Sequence, residues 1–267
     1  MVRFRPGNPT MSTAREDLTQ NESCPVSLRL EALESRLLLS GVIERVSLDS
    51  AGDEVIGNSY APDVSDDGRY VTFSSYSAGL VSGDANGVSD VFVYDRQTDT
   101  IERVSLASDG SEGNGASAYS AISDDGRFVA FWSEATNLVT GDTNGHADIF
   151  VYDRQSDTIE RVSVASDGTQ ADAASQKAAI SGTGRYVTFQ SEATNLVAGD
   201  TNGVRDIFVH DLENDTTERV SLTSGGGEGS GNSSEPSISD DGRYVSFHST
   251  AGDLVSGDTN FLPDAFV

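Results

Sequence analysis

Asp84-Ala85-Asn86-Gly87-Val88-Ser89-Asp90-Val91-Phe92-Val93-Tyr94-Asp95 is a polar turn that runs directly into an apolar strand. The same text returns at Asp142 to Asp153, at Asp200 to Asp211 and, shortened, at Asp258 to Val267, each copy 58 residues after the one before. A fixed period of this length marks an array of one supersecondary unit, whose members bury their apolar faces against one another. In such a chain the meaning of a residue depends on whether its copies share it.

Around this stretch the unit resolves into four short strands, by β-branched and aromatic content and by turn chemistry. The first, Ala61 to Ser65, ends in Ser65-Asp66-Asp67-Gly68, where Asp and Gly favour a tight hairpin. The second, Arg69 to Ser74, alternates Val71 and Phe73 with Tyr70 and Thr72, so one face is apolar. The third, Val91 to Tyr94, is apolar on both faces and belongs between neighbours. A turn at Asp95 to Asp99 leads to the fourth, Ile101 to Leu106, which carries Glu102 and Arg103.

Superposed copies predict the core. Phe73, Phe131, Phe189 and Phe247 coincide, as do Leu80, Leu138, Leu196 and Leu254, and Phe92, Phe150, Phe208 and Phe266. The pairs Arg45-Val46, Arg103-Val104, Arg161-Val162 and Arg219-Val220 coincide in the fourth strand. Four antiparallel strands per unit, repeated without helices, are the pattern of a β-propeller blade. The expected fold is therefore all-β, a four-bladed β-propeller over residues 42–267.

The array enters on a lone fourth strand, Ile43 to Leu48, and its last unit stops in a third strand, Asp264 to Val267. Pairing of the two would close the ring and cover two exposed sheet edges. The competing expectation is a stretch of a longer repeat array.

The blade text Pro62-Asp63-Val64-Ser65-Asp66-Asp67-Gly68-Arg69-Tyr70-Val71-Thr72-Phe73, followed by Asp90 to Asp95, resembles the WD40-like PD40 repeats of TolB-type propellers. Pro236-Ser237-Ile238-Ser239-Asp240-Asp241-Gly242-Arg243-Tyr244 is nearly a consensus copy. The unit departs from that family in its longer loops and in a third copy that reads Ser181-Gly182-Thr183-Gly184. The resemblance implies the fold. It leaves scaffolds, gating domains of peptidases and some lyases open as functions, because function resides in sites rather than in folds.

Composition narrows the partners. Net charge is −26, and the 17 basic residues are arginines except for one lysine, Lys177. Such a surface has no basic stripe for nucleic acid or anionic lipid. Cys24 is the only cysteine, which excludes an intrachain disulfide and leaves a Cys-based zinc site without partners. No run approaches the roughly 20 apolar residues of a membrane span.

Residues 1–25 show no apolar periodicity and are expected to be disordered. Leu30, Leu33 and Leu37 then fall at helical spacing, predicting a short helix near 28–39 within a targeting segment, 1–41. Leu33-Glu34-Ser35-Arg36-Leu37-Leu38-Leu39-Ser40 resembles the LEPR-XLL motif of surface and secreted repeat proteins of planctomycete-type bacteria, with Ser35 in place of its proline. That resemblance implies an exported protein at the periplasm, the cell surface or beyond.

Candidate chemistry is sparse. The paired carboxylates Asp66-Asp67, Asp124-Asp125 and Asp240-Asp241 read as turn residues, because copy three replaces both and keeps Gly184 and Arg185. The loop Asp-x-Asn-Gly-x-x-Asp offers oxygen ligands at alternate positions, as calcium loops do. Asp84, Asn86 and Asp90 would be ligands, as would Asp142, Asn144 and Asp148, and Asp200, Asn202 and Asp206, with calcium as the one candidate cofactor. The other reading is an Asx-turn whose side chains bond the local backbone. Copy four, Asp258 to Phe261, has lost the glycine.

Catalysis on a repeated scaffold would need residues that differ between copies. The singletons are His146, His210, His248, Trp132 and Lys177, and they form no visible metal triad, nucleophile elbow or phosphate loop. Trp132 and His248 share a strand column that could face the channel or a rim, where an aromatic suits carbohydrate or peptide contact. The expectation is a non-enzymatic binding or scaffold propeller for a protein or carbohydrate ligand. A propeller-borne lyase or hydrolase, and a structural piece of a larger repeat protein, are the alternatives.

Overall fold

The structure is a computed structural model that describes residues 43–260 and 262–267. The segments expected to be a disordered lead-in and a helix near 28–39, the LEPR-like motif and Cys24 all lie outside the described residues. Residues Arg45–Val267 form one compact unit.

That unit is built of four antiparallel sheets in which strand order follows chain order. Blade 1 contains β1 (Ser59–Val64), β2 (Tyr70–Ser75), β3 (Asp90–Asp95) and β4 (Thr100–Arg103). Blade 2 contains β5 (Ser117–Ile122), β6 (Phe128–Ser133), β7 (Asp148–Asp153) and β8 (Thr158–Arg161). Blade 3 contains β9 (Ser175–Ile180), β10 (Tyr186–Ser191), β11 (Asp206–Asp211) and β12 (Thr216–Arg219). Blade 4 contains β13 (Ser233–Ile238), β14 (Val245–Ser249) and β15 (Asp264–Phe266). No described segment is helical, and none is a helix long and apolar enough to cross a membrane. The chain is a four-bladed propeller array.

Each first hairpin is held by its own side chains. Ser65 Oγ donates to Asp67 Oδ1 at 2.7 Å, and Asp67 Oδ1 accepts the Arg69 N–H at 2.9 Å. In copy three Thr183 replaces the aspartate and accepts from Arg185 N–H at 3.4 Å. The glycine that closes the turn serves a second purpose between blades. Gly126 has φ +71°, and a Cβ there would lie 2.0 Å from the Tyr70 ring of the preceding blade. Gly184 receives Phe128 and Gly242 receives Tyr186 in the same way.

The predicted core is observed. Stacked phenylalanines fill each blade, Phe73 on Phe92, Phe131 on Phe150, Phe189 on Phe208 and Phe247 on Phe266, with centroids 5.8–6.1 Å apart. Leu80, Leu138, Leu196 and Leu254 are buried beside them. The fourth strand ends at Arg103, earlier than its alternation suggests. Its continuation turns inward: Val104 is fully buried against blade 2, and Ser105 Oγ donates to Asp90 Oδ1 while accepting the Val91 N–H.

The expected ring closure is corrected. β15 pairs with β14 alone, and residues 43–48 contribute only an isolated bridge, Leu48 to Glu54. Val46 packs on the Phe73, Leu80 and Phe92 cluster of blade 1, as Val104 packs on blade 2, so the segment keeps the packing role of a fourth strand while lacking its ladder of hydrogen bonds.

Candidate functional site

The three intact Asp-x-Asn-Gly-x-x-Asp loops converge on arginine. Arg103 Nη1 lies 3.2 Å from Asp84, 3.6 Å from Asp90 and 2.7 Å from Glu112. Arg161 meets Asp142 at 2.9 Å and Asp148 at 3.5 Å. Arg219 meets Asp200 at 3.1 Å, Asp206 at 3.4 Å and Glu228 at 3.0 Å. Each arginine comes from the fourth strand and reaches back to the start of the third, which the shared hairpin makes possible.

The asparagines are committed as well. Asn86, Asn144 and Asn202 each accept the N–H two residues ahead through Oδ1, at 3.1, 3.0 and 3.1 Å. Their amide nitrogens donate to Asp90, Asp148 and Asp206. Among the described residues no group of three or more His, Cys, Asp or Glu side chains is arranged to hold a metal ion. Burial pushes the Asp84, Asp90 and Asp148 carboxyls up, and pushes Asp200 up to about 6, with its arginine opposing that rise. Glu228 goes the other way, down to about 2, because the Thr201 N–H and hydroxyl bond it.

The turn carboxylates do not act as pairs. Asp67 is spent on its own turn, whereas Asp66, Asp124 and Asp240 are drawn together by bonds between blades: Asp66 N–H to Asp124 O, Asp124 N–H to Gly182 O, and Thr183 N–H to Asp240 O. Burial, then Asp240 and Asp66, raise the Asp124 carboxyl. A Cβ on Gly182 would lie 2.1 Å from Asp124 Oδ2, so the glycine of copy three leaves that carboxylate room.

The site with the most individual character lies where the four first strands meet. Each carries a register shift, and the bulged residue, Ala61, Tyr119, Lys177 or Glu235, has φ between +49° and +57°. A side chain in the left-handed region is strained, and bulges re-aim side chains. The strain is partly offset between blades, since Tyr119 N–H donates to Ser74 Oγ and Glu235 N–H to Gln190 Oε1, each at 3.0 Å. These bulges surround a cavity of about 280 Å³ lined by residues of all four blades, including Asp63, Tyr119, Lys177 and Glu235.

An aromatic row borders it. Tyr60 stacks on Tyr76 at 5.8 Å, meets Tyr119 edge-on at 5.9 Å, and Tyr119 meets Trp132 at 6.5 Å. Tyr76 and Tyr119 are 58% and 46% exposed, so the row is open to a ligand. Lys177 Nζ sits 4.9 Å from the Tyr119 ring centre and 3.4 Å from Glu235. Trp132 was legible as a singleton. Tyr60, Tyr76 and Tyr119 carry no such mark, although positions 60 and 61 hold a different residue in every copy.

No protein-family model matches the sequence, and no curated protein matches it. Among solved structures the chain is similar to TolB from Acinetobacter baumannii, with 20% identity and a TM-score of 0.44 over 75% of this chain and 41% of that one. It spans about two fifths of that protein's length. It is similar to a putative TolB from Agrobacterium tumefaciens, with 17% identity and a TM-score of 0.45 over 74% and 72% of the two chains. The propeller domain of the Trilobed protease from Pyrococcus furiosus, described as an open velcro topology, has 12% identity and a TM-score of 0.40 over 62% and 43%.

The histidines have separate roles. His210 is buried in β11, its Nδ1 2.9 Å from Thr217 Oγ1, and burial lowers its pKa. Copy three has replaced the Tyr94-type ring and the Ile101-type residue together, so the hydroxyl serves the shorter imidazole. His146 is exposed in the loop before β7, and His248 is exposed on β14. The axial cavity is lined by none of the three.

Proposed function

We propose that the chain is a non-enzymatic binding propeller of an exported bacterial protein, and that its ligand contacts the axial mouth. One observation carries this reading: residues that differ between the four copies gather at that mouth, in strained conformations, beside an exposed row of aromatic rings. Strain kept in every copy marks positions where side-chain aim matters more than local stability. Large amphipathic rings beside polar groups suit protein or carbohydrate contact.

The Asp-Asn-Gly loops belong to the scaffold on this reading. Their asparagine oxygens are engaged by backbone, and each carboxylate pair faces a guanidinium, which supports an ionic latch over a calcium site.

The test compares the unaltered chain with the double variant Tyr76→Ala, Tyr119→Ala on immobilised glycans and peptides. The unaltered chain is expected to retain a ligand that the variant loses while its circular dichroism is unchanged. Equal retention by both would refute the axial mouth as the site. Mass analysis of the bound ligand after prolonged incubation should show it intact, and a cleaved product would instead establish an enzyme.

A further inference from the structure

Lys177 is the single lysine of a chain with net charge −26. It occupies a strained bulge, its ammonium over an exposed tyrosine and against an exposed glutamate. Nothing in the blade scaffold needs a cation there, since the equivalent positions hold alanine, tyrosine and glutamate. An ammonium between an aromatic face and a carboxylate is how a cationic ligand is recognised.

We propose that the axial mouth receives a basic side chain, lysine or arginine, from a partner protein segment, and that Lys177 occupies this position until the segment arrives. This rests on the axial mouth being the binding site. Two features support a peptide cation over a neutral sugar at the axial mouth. Asp63 and Glu235 outnumber Lys177 among the charged residues lining it. The acidic surface would draw a basic segment toward the molecule.

Lys177 is well suited to yield. Its side chain is 39% exposed and that of Glu235 is 59% exposed, so their pairing is weak in water. A flexible four-carbon stem lets the ammonium swing aside. The partner's cation then lies on the Tyr119 ring with Glu235 as counter-ion, and its backbone lies along the Tyr60 and Tyr76 row.

Fluorescence anisotropy with a labelled peptide of alternating lysine and glycine tests this, with the lysine-acetylated peptide and cellohexaose as comparisons. The basic peptide is expected to bind and the acetylated one to lose about 10-fold in affinity, because acetylation removes the cation. Tyr119→Ala and Glu235→Gln should each weaken binding about 5- to 10-fold, the size of a partly desolvated cation–π or charge contact, while Tyr119→Phe stays within about 2-fold. Lys177→Met should tighten binding about 3-fold or more by removing the internal competitor, and the gain should vanish on the Tyr119→Ala background, where a gain from lost charge repulsion alone would persist.

Equal affinity for the acetylated peptide, or binding indifferent to Tyr119 and Glu235 as attraction to the acidic surface at large would be, overturns the proposal. Cellohexaose binding that Tyr119→Ala abolishes, with no binding of the basic peptide, would overturn the peptide assignment and leave the axial mouth as a sugar site. Circular dichroism of Tyr119→Ala and Glu235→Gln confirms that each variant is folded.

Discussion

The Arg-centred loops and the axial mouth lie in the same blades and obey opposite rules. The loops repeat nearly letter for letter, and their charged side chains are buried beside one another. The mouth has a different residue in each blade, is half exposed, and keeps strained backbone. In a repeat protein, identity between copies marks what the blade needs to fold, and difference marks what is left for a ligand.

The largest effect should come from breaking a loop. Arg161→Ala leaves Asp142 and Asp148 buried without their cation and is expected to cost about 3–5 kcal/mol, read from the urea midpoint. Tyr119→Ala should change that midpoint by less than about 1 kcal/mol. Equal losses in the two variants would erase the distinction between scaffold and mouth.

The seam between blades should come next. Gly126→Ala combines a left-handed φ with overlap on Tyr70, so a loss of at least about 2 kcal/mol is expected by thermal or urea unfolding. Gly141→Ala has a similar φ and open space around it, and should lose less.

The loops also carry a pH signature. The folded pKa of Asp200 is raised to about 6, so the native state holds this proton more tightly than the unfolded chain. A raised carboxyl gives stability that is present at low pH and lost as pH rises from about 4 to about 6. Asp200→Asn should therefore match the unaltered chain near pH 4 and gain on it by pH 7, by on the order of 2 kcal/mol. A constant difference across that range would show that burial does not perturb Asp200.

The smallest effect is expected from metal. Excess calcium followed by chelator should leave the melting midpoint unchanged, because a ligand of the folded state would raise it. A calcium-dependent rise abolished by Asp84→Asn would return the loops to the metal reading.

Most of the scaffold was legible because its signals are local and repeated. The phenylalanine and leucine columns, the Asp-Gly hairpins and the third strands needed only the period and the alternation of residues. The candidate site was legible in one ring, Trp132. Tyr60, Tyr76 and Tyr119 come from different strands, and the left-handed bulge that aims Tyr119 has no glycine to announce it. The aspartates of the loops stood out as oxygen ligands, while their counter-ion, 13 to 19 residues downstream in the fourth strand, read as an ordinary strand arginine.

The sequence alone determined the number of blades, the strands within them and the residues that fill them, since each blade is made by contacts within one repeat. Tertiary structure decided what happens between repeats. It left β15 paired with β14 alone, set a guanidinium beside the aspartates of each intact loop, and brought Tyr119, Lys177 and Glu235 from three blades to one mouth. The physical reason is that local propensity acts within a blade, whereas packing, charge pairing and backbone strain between blades depend on distances that no 58-residue pattern contains.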